Sequence, residues 1–188
     1  MADVSSPLLS ESGVRAREQA APSSAEAART ADPHLITFVE LLFFAYRDFT
    51  READAMLAEY RLGRAHHRVL HFVNRHPGLR VADLLDILKI TKQSLARVLK
   101  QLVDEGWISQ RCGERDRRQR LLFVTEKGAR LAAHLDGVQS GRVARALAAA
   151  GRDEEAIARF LFAVIAAEER PPVKALLPVR AGARGDRD

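Results

Sequence analysis

Cationic and polar side chains concentrate on one face of the segment from Thr91 to Gly106. Apolar residues at three- and four-residue steps, including Leu95 and Leu102, predict an amphipathic helix. Thr91 can cap the first turn of this helix with its hydroxyl, and Gly106 can adopt the left-handed conformation in which helices commonly end. Such donors can bind base edges or phosphates, so this face predicts nucleic-acid binding, with a solvated helix face as the structural alternative. The candidate DNA-binding residues here are Thr91, Lys92, Gln93, Ser94, Arg97 and Lys100.

A second cationic segment follows the helix. Between Arg111 and Arg120 there are five arginines against two acidic residues, and short apolar runs that favour strands lie on either side. Asp116 is placed to hold the Arg118 guanidinium in a fixed orientation, although a disordered charged loop is the alternative. Helix, strand, basic loop and strand is the order of a winged helix-turn-helix. The candidate DNA-binding residues of the loop are Arg115, Arg117 and Arg118.

Helical patterns lie on both sides of this region, so the sequence predicts a mainly α protein with a small β-hairpin wing. The first helix, from Pro33 to about Tyr60, is apolar nearly all round in its first half, and we infer that a second subunit covers it. The wing strands are expected at 107–111 and 121–124. The domains expected are a disordered tail at 1–31, a dimerisation helix at 32–62, a winged helix-turn-helix DNA-binding domain at 63–125, dimerisation helices at 126–170 and a flexible tail at 171–188.

Composition narrows the class of protein. A formal charge of +5 favours an anionic partner, because clustered Lys and Arg displace the counterions of phosphate backbones. A single cysteine, no secretory signal and no apolar run near the ~20 residues that span a membrane predict a cytoplasmic protein without membrane contact. The sequence has no glycine-rich phosphate loop, no nucleophile signature and no paired catalytic carboxylates, so we predict no enzyme.

Two further groups of residues could carry chemistry. His67 and His71 have the i, i+4 spacing of a metal or haem site, but nearby Cys, Asp or Glu do not complete a ligand set, so core-edge histidines are the default and no cofactor is expected. Cys112 lies between Arg111 and Arg115, where cationic neighbours favour a reactive thiolate. Two interpretations of Cys112 remain open: it senses redox state, or it is a cysteine without a function that the fold tolerates.

The chain resembles the MarR family of winged-helix transcriptional regulators from about Asp32 to Arg170. The most specific matches are the segments Gly106-Trp107-Ile108, Arg111, Asp116-Arg117-Arg118 and Val124-Thr125-Glu126-Lys127-Gly128. Two positions depart from the family pattern. Lys89 stands where the turn often has Gly, and Arg80 stands where the third helix often begins with Ser or Thr.

The resemblance implies a homodimer with interlocked first and last helices. It also implies a recognition helix in the major groove of double-stranded DNA, a wing over the minor groove, and release by a small-molecule effector or by oxidation. We expect the effector pocket where the dimer helices meet the DNA-binding lobe. Two other functions stay open, a winged-helix protein-interaction module without DNA binding and a haem- or metal-responsive sensor. The pocket candidates are Phe43, Tyr46, Arg47, His67 and Trp107.

Overall fold

The computed structural model describes residues 32–113, 116–151 and 153–177, and within these it is mainly helical with a small antiparallel sheet, as predicted. The predicted tail at 1–31 and Arg115 lie outside the described residues. The helices are α1 (Pro33–Glu59), α2 (Arg64–Arg75), α3 (Val81–Leu88), α4 (Lys92–Asp104), α5 (Glu126–Ala149), α6 (Glu154–Val164) and α7 (Arg170–Leu176), with a 3₁₀ turn at Ala167–Glu169. The strands are β1 (Leu79–Arg80), β2 (Ile108–Cys112) and β3 (Arg120–Val124).

Side-chain caps fix where the helices around the wing begin and end. Thr91, Thr125 and Asp153 stand at the N-caps of α4, α5 and α6, where each side-chain oxygen accepts the backbone amide three residues on, at 3.0 to 3.1 Å. These oxygens satisfy amides that have no partner within the helix. Gly106, with φ of +72°, follows α4 in the left-handed conformation that glycine adopts without steric cost. The helix boundaries expected from these residues are therefore confirmed.

The two departures from the family pattern both lie at the ends of α3. Arg80 at the N-cap lacks a hydroxyl, but its backbone amide donates to Asp83 at 3.0 Å and its guanidinium pairs with the same carboxylate. The Arg80 hydrogen bonds and charge lower the pKa of Asp83. At the other end, Lys89 adopts φ of 51° and ψ of 45°, a left-handed conformation that costs a non-glycine residue about 1 to 2 kcal/mol. Its Nζ lies 3.0 Å from Glu169, so the turn before α4 is joined to the C-terminal segment.

The sheet has the order β1-β3-β2, and both pairings are antiparallel. β2 pairs with β3 from Ile108 opposite Val124 to Cys112 opposite Arg120. The first predicted strand is therefore shifted by one residue at both ends, and the second begins one residue earlier than expected. The strand β1 was not expected from the sequence. A strand of two residues is too short to show the alternation of apolar and polar side chains that identifies strands in a sequence. Its pairing with Leu121 and Leu122 of β3 also depends on contact between residues that are far apart in the chain.

One hydrophobic core lies within the compact unit that begins at Phe44; the unit boundary falls inside α1, between Phe43 and Phe44. The core takes side chains from the second half of α1, from α2 to α4, from the strands and from the start of α5. Because each of these elements contributes to one core, the winged helix is held on a rigid base. The fully buried members include Ala53, Leu57, Leu70, Leu84, Leu102, Leu122 and Leu135.

The C-terminal segment differs from the prediction. We expected one last helix up to Pro171 and a flexible tail from there, but α6 ends at Val164 and α7 begins at Arg170. Pro171 and Pro172 lie in the first turn of α7, where a missing amide proton costs no helical hydrogen bond. Arg170 donates to the carbonyls of Ala163 and Ile165, which closes the end of α6. Residues 178–188 of the predicted tail are outside the described residues.

None of the helices in the described part of the chain is both long and apolar enough to cross a membrane.

Two glycines of α5 should respond oppositely to the same substitution. A Cβ at Gly128 would lie 2.1 Å from the Trp107 carbonyl oxygen, whereas a Cβ at Gly137 would meet nothing within 4 Å. We expect Gly128→Ala to lower the free energy of unfolding by about 1 to 3 kcal/mol through overpacking. Gly137→Ala should raise it by about 0.5 to 1 kcal/mol, because alanine has less backbone entropy to lose.

Urea unfolding at one fixed protein concentration measures both effects. A Gly128→Ala protein as stable as the wild type would contradict the tight contact between the start of α5 and Trp107.

Candidate nucleic-acid interface

The outer face of α4 carries three exposed side chains that are available for a ligand. Within the described residues, Lys92, Gln93 and Arg97 have no hydrogen-bond or ion-pair partner. The opposite face is anchored, since Leu95 and Leu102 are 1% and 0% exposed. The helix can therefore present these donors without moving relative to the core.

The other three candidates on α4 already have partners. Thr91 Oγ1 donates to Ser94 Oγ at 2.9 Å and accepts the Ser94 amide at 3.1 Å, so both hydroxyls stabilise the start of the helix. Lys100 Nζ pairs with Asp104 at 2.5 Å, one turn further along. This exposed ion pair contributes little to stability. The lysine can exchange Asp104 for another anion at small cost.

The described residues of the wing tip, 116–119, form a turn closed by hydrogen bonds. Asp116 Oδ1 accepts the backbone amide of Arg118 at 2.9 Å, and the Gln119 amide donates to the Asp116 carbonyl at 3.0 Å. We predicted that Asp116 would hold the Arg118 guanidinium, but it forms a turn with the backbone instead, since an Asp side chain reaches the amide two residues on. The guanidiniums of Arg117 and Arg118 are exposed and unpaired within the described chain.

Two arginines in the strands of the wing are held by neighbouring side chains. The Arg111 guanidinium lies 4.6 Å from the centre of the Phe123 ring, a cation–π contact. Arg120 Nη1 donates to the exposed Cys112 sulfur at 2.7 Å. Cys112 was a candidate from the sequence, but its contact with Arg120 was not, because that contact depends on the opposite positions of the two residues in β2 and β3. A redox role for Cys112 stays a prediction.

A cluster around Trp107 joins α4, the wing and α5. Trp107 is 3% exposed, and its Nε1 donates to Glu105 Oε2 at 3.0 Å. Lys127 Nζ lies 3.7 Å from the centre of the Trp107 ring and donates to the Glu105 carbonyl at 2.9 Å. The hydrogen bonds from Trp107 and Gln101 lower the pKa of Glu105. Sequence reasoning missed Glu105, because no periodic pattern signals a contact between a helix end and a following strand.

Two of the five effector-pocket candidates line one cavity. Tyr46 and His67 line a cavity of about 230 Å³ between α1, α2 and α5, while Trp107 lines a separate groove. Arg47 is paired with Asp48 at 3.0 Å, and Phe43 belongs to the other compact unit. Burial lowers the pKa of His67, which favours its neutral form.

A larger cavity of about 740 Å³ lies between the end of α2, the turn after α3 and α7. Its apolar walls include Phe72, Ile87, Val173 and Leu176, and Lys89 and Glu169 lie at its edge. Its size falls in the range of small-molecule sites. No sequence signal pointed to this cavity, because α7 was read as part of a tail.

The histidine pair does not have the surroundings of a metal site. His71 Nδ1 lies 3.0 Å from Asp136 of α5, and in the described segments no three His, Cys, Asp or Glu side chains converge so as to hold a metal ion. The Asp136 contact was not visible in the sequence, since 65 residues separate the two positions.

Comparison with known proteins agrees with this geometry. A model of the MarR family matches residues 62–119. The HTH-type transcriptional regulator PetP of Rhodobacter capsulatus is 48% identical over 129 residues, which cover 69% of this chain and 76% of that protein. The structure of MarR shares the fold with a TM-score of 0.57 at 21% identity, covering 79% of this chain and 97% of that chain. The structure of Streptococcus pneumoniae FabT in complex with DNA has a TM-score of 0.59 at 18% identity, covering 76% and 99%.

The identity to PetP extends beyond the winged helix into the flanking helices, since 129 residues exceed the 58 that the family model spans from 62 to 119. The chain belongs to the MarR family of transcriptional regulators.

Proposed function

We propose that this chain is a sequence-specific DNA-binding transcriptional regulator, not an enzyme, which binds a pseudo-palindromic operator as a homodimer. The observation that carries the proposal is the set of unpaired donors on α4, anchored on a rigid core, beside a wing whose tip exposes Arg117 and Arg118. Half-sites would lie about one helical turn apart.

On α4 the proposed roles follow from side-chain geometry. Gln93 can bind adenine through two hydrogen bonds, and Lys92 or Arg97 can bind guanine in the major groove. Lys100 would bind a phosphate after exchanging it for Asp104. Thr91 and Ser94 would contribute mainly by holding the first turn of the helix, whose amides are favourable neighbours for a phosphate.

In the wing, the turn at Asp116 supports the proposed contact of Arg118 with the minor groove. Narrow A·T-rich minor grooves concentrate negative potential, which attracts an inserted arginine. Arg117 would bind an adjacent phosphate. Arg115 remains an expectation of the same kind, since it lies outside the described residues.

The homodimer is supported by apolar side chains exposed on α1 and α6. On the first half of α1 they include Leu35, Leu41 and Phe43, and on α6 they include Leu161 and Val164. Exposed apolar surface of this kind is more typical of an interface than of a solvent-facing helix. A second copy of the chain would bury it and bring two recognition helices to one operator.

A small-molecule effector, as part of this proposal, would bind in the cavity of about 740 Å³ rather than in that of about 230 Å³ at Tyr46 and His67. Its size suits a drug-sized molecule, and its walls are mostly apolar with a few charged groups. It also adjoins Lys89, whose left-handed turn leads into α4. A ligand there could change the position of the recognition helix.

The winged-helix interaction module is the competing function. Such a module would not retain DNA, whereas binding through arginines and lysines weakens steeply with salt, because counterions are released from the duplex. Selection of duplexes from a random library at two salt concentrations separates the two functions.

Arg118→Ala should weaken binding to a selected duplex and reduce its salt dependence. Each lost contact should make the slope of log affinity against log salt shallower by about 1. Fluorescence anisotropy over a salt series measures both quantities. Arg130→Ala is the matched control, because Arg130 is an exposed arginine of α5 paired with Glu126. Equal affinities and slopes for Arg118→Ala and wild type would refute the role of the wing.

Phe43→Asp should convert the dimer into a monomer. Phe43 is 70% exposed in the single chain, and burying a carboxylate there in an interface would be costly. Sedimentation or light scattering gives the mass. Leu177→Asp is the control, since Leu177 is 52% exposed but lies on neither helix. A monomeric wild type, or an unchanged mass for Phe43→Asp, would count against this interface.

A substitution that fills the larger cavity should abolish ligand-induced stabilisation. A thermal-shift screen of small amphipathic molecules against the wild type identifies ligands, which stabilise by about 2.7 kcal/mol at a hundred times Kd. Val173→Trp fills the larger cavity and should remove their effect, whereas Gln139→Trp in the smaller cavity should not. The reverse pattern would assign the ligand to the smaller cavity.

A further inference from the structure

His66 connects the start of α2 to the recognition helix α4. Its Nδ1 lies 3.1 Å from the Gly63 amide, and its Nε2 lies 2.9 Å from Gln101 Oε1. A backbone amide can only donate, so Nδ1 must be the unprotonated acceptor and the ring proton must be on Nε2. His66 is therefore a neutral ring with one defined tautomer in this arrangement.

The orientation of the Gln101 amide follows from its other neighbours. Gln101 Nε2 lies 2.9 Å from Glu105 Oε1 and 3.3 Å from the Arg61 carbonyl. A carboxylate and a carbonyl only accept, so the nitrogen must point toward them and the oxygen toward His66. The other Glu105 oxygen accepts the Trp107 Nε1 proton at 3.0 Å. Each group thus has one compatible orientation.

This chain of hydrogen bonds, from Gly63 through His66, Gln101 and Glu105 to Trp107, is called here the His66 relay. It ties α4 at one end to the start of α2 and at the other to the residue before β2. Gln101 lies one turn beyond Arg97 on α4, so fixing its side chain resists rotation of the helix about its own axis. Rotation would change which donors face a duplex.

We propose that His66 is a positioning residue for DNA binding, which acts through Gln101 to fix the rotation of α4. The proposal rests on the proposed function of α4 as the recognition helix. His66 itself need not touch DNA.

The relay also has a link to α5. Glu105, which follows the last residue of α4, interacts with His66 electrostatically, and Lys127 of α5 donates to the Glu105 carbonyl at 2.9 Å.

A double-mutant cycle tests the relay. Affinity for a duplex selected from a random library is measured for wild type, His66→Ala, Gln101→Leu and the double variant. Each single change should weaken binding about fivefold, the scale of one hydrogen bond. The double variant should be no weaker than the weaker single variant, because both interrupt one relay. The salt slope should stay at its wild-type value, since no phosphate contact is lost.

Additive losses would overturn the relay, because they would mean that Gln101 contacts DNA independently of His66. Single variants that bind like the wild type would overturn it as well. Gln139→Leu, the same substitution on α5, is the control and should leave binding unchanged. A wild-type protein that retains no duplex at all would overturn the proposed function too, whereas the other outcomes leave that function intact.

His66→Gln is the rescue variant for the relay. It keeps an acceptor for the Gly63 amide, as Gln does at this position of a capping box, and a donor for Gln101. It should therefore restore most of the affinity that His66→Ala loses. A His66→Gln protein that binds the duplex as weakly as His66→Ala would overturn the role of these two hydrogen bonds.

Discussion

The structure depends on the burial of the apolar face of α4. Leu95 and Leu102 are almost fully removed from solvent, and side chains of α2, α3 and the sheet complete the same core. Each such burial contributes about 1.5 to 3 kcal/mol, far more than any exposed hydrogen bond of the helix. The core therefore decides where α4 lies, and its outer face is left to present polar groups. Stability and the proposed DNA contacts thus belong to opposite faces of one helix.

The junction around Trp107 converts this placement of one helix into a fixed arrangement of three elements. The Trp107 amide donates to the Leu102 carbonyl at 2.8 Å, and the Trp107 carbonyl accepts the Thr125 amide at 3.0 Å. Gly128 must lack a side chain because the Trp107 carbonyl approaches it closely. The end of α4, the start of the wing and the start of α5 are therefore held in one arrangement. A shift of one of these elements would displace the other two.

Polar contacts near the surface contribute specific directions to the structure, whereas the core contributes most of its stability. Individually, pairs such as Lys89 with Glu169 or Lys100 with Asp104 add little stability, because solvent screens them. Each pair nevertheless holds its side chains in one direction. Because such a pair costs little to break, its lysine can exchange the carboxylate for a ligand or a phosphate. The left-handed turn at Lys89 and the relay at His66 lie at the two ends of the helix that would contact DNA. The core therefore sets the position of α4, and the polar groups at its ends make specific contacts that contribute little to overall stability.

The sequence by itself determined the helices from α1 to α5, the wing and the family, because these depend on local signals. Apolar periodicity predicted α4, the hydroxyls of Thr91 and Thr125 predicted its start and that of α5, and Gly106 predicted the turn between α4 and the wing. Tertiary structure alone decided the pairing of β1, the end of α6, the turn made by Asp116 and the partners of His66 and His71. Those features depend on residues far apart in the chain, or on competition between two equally plausible partners. Local pattern carries no information about which partner lies within reach once the core has formed.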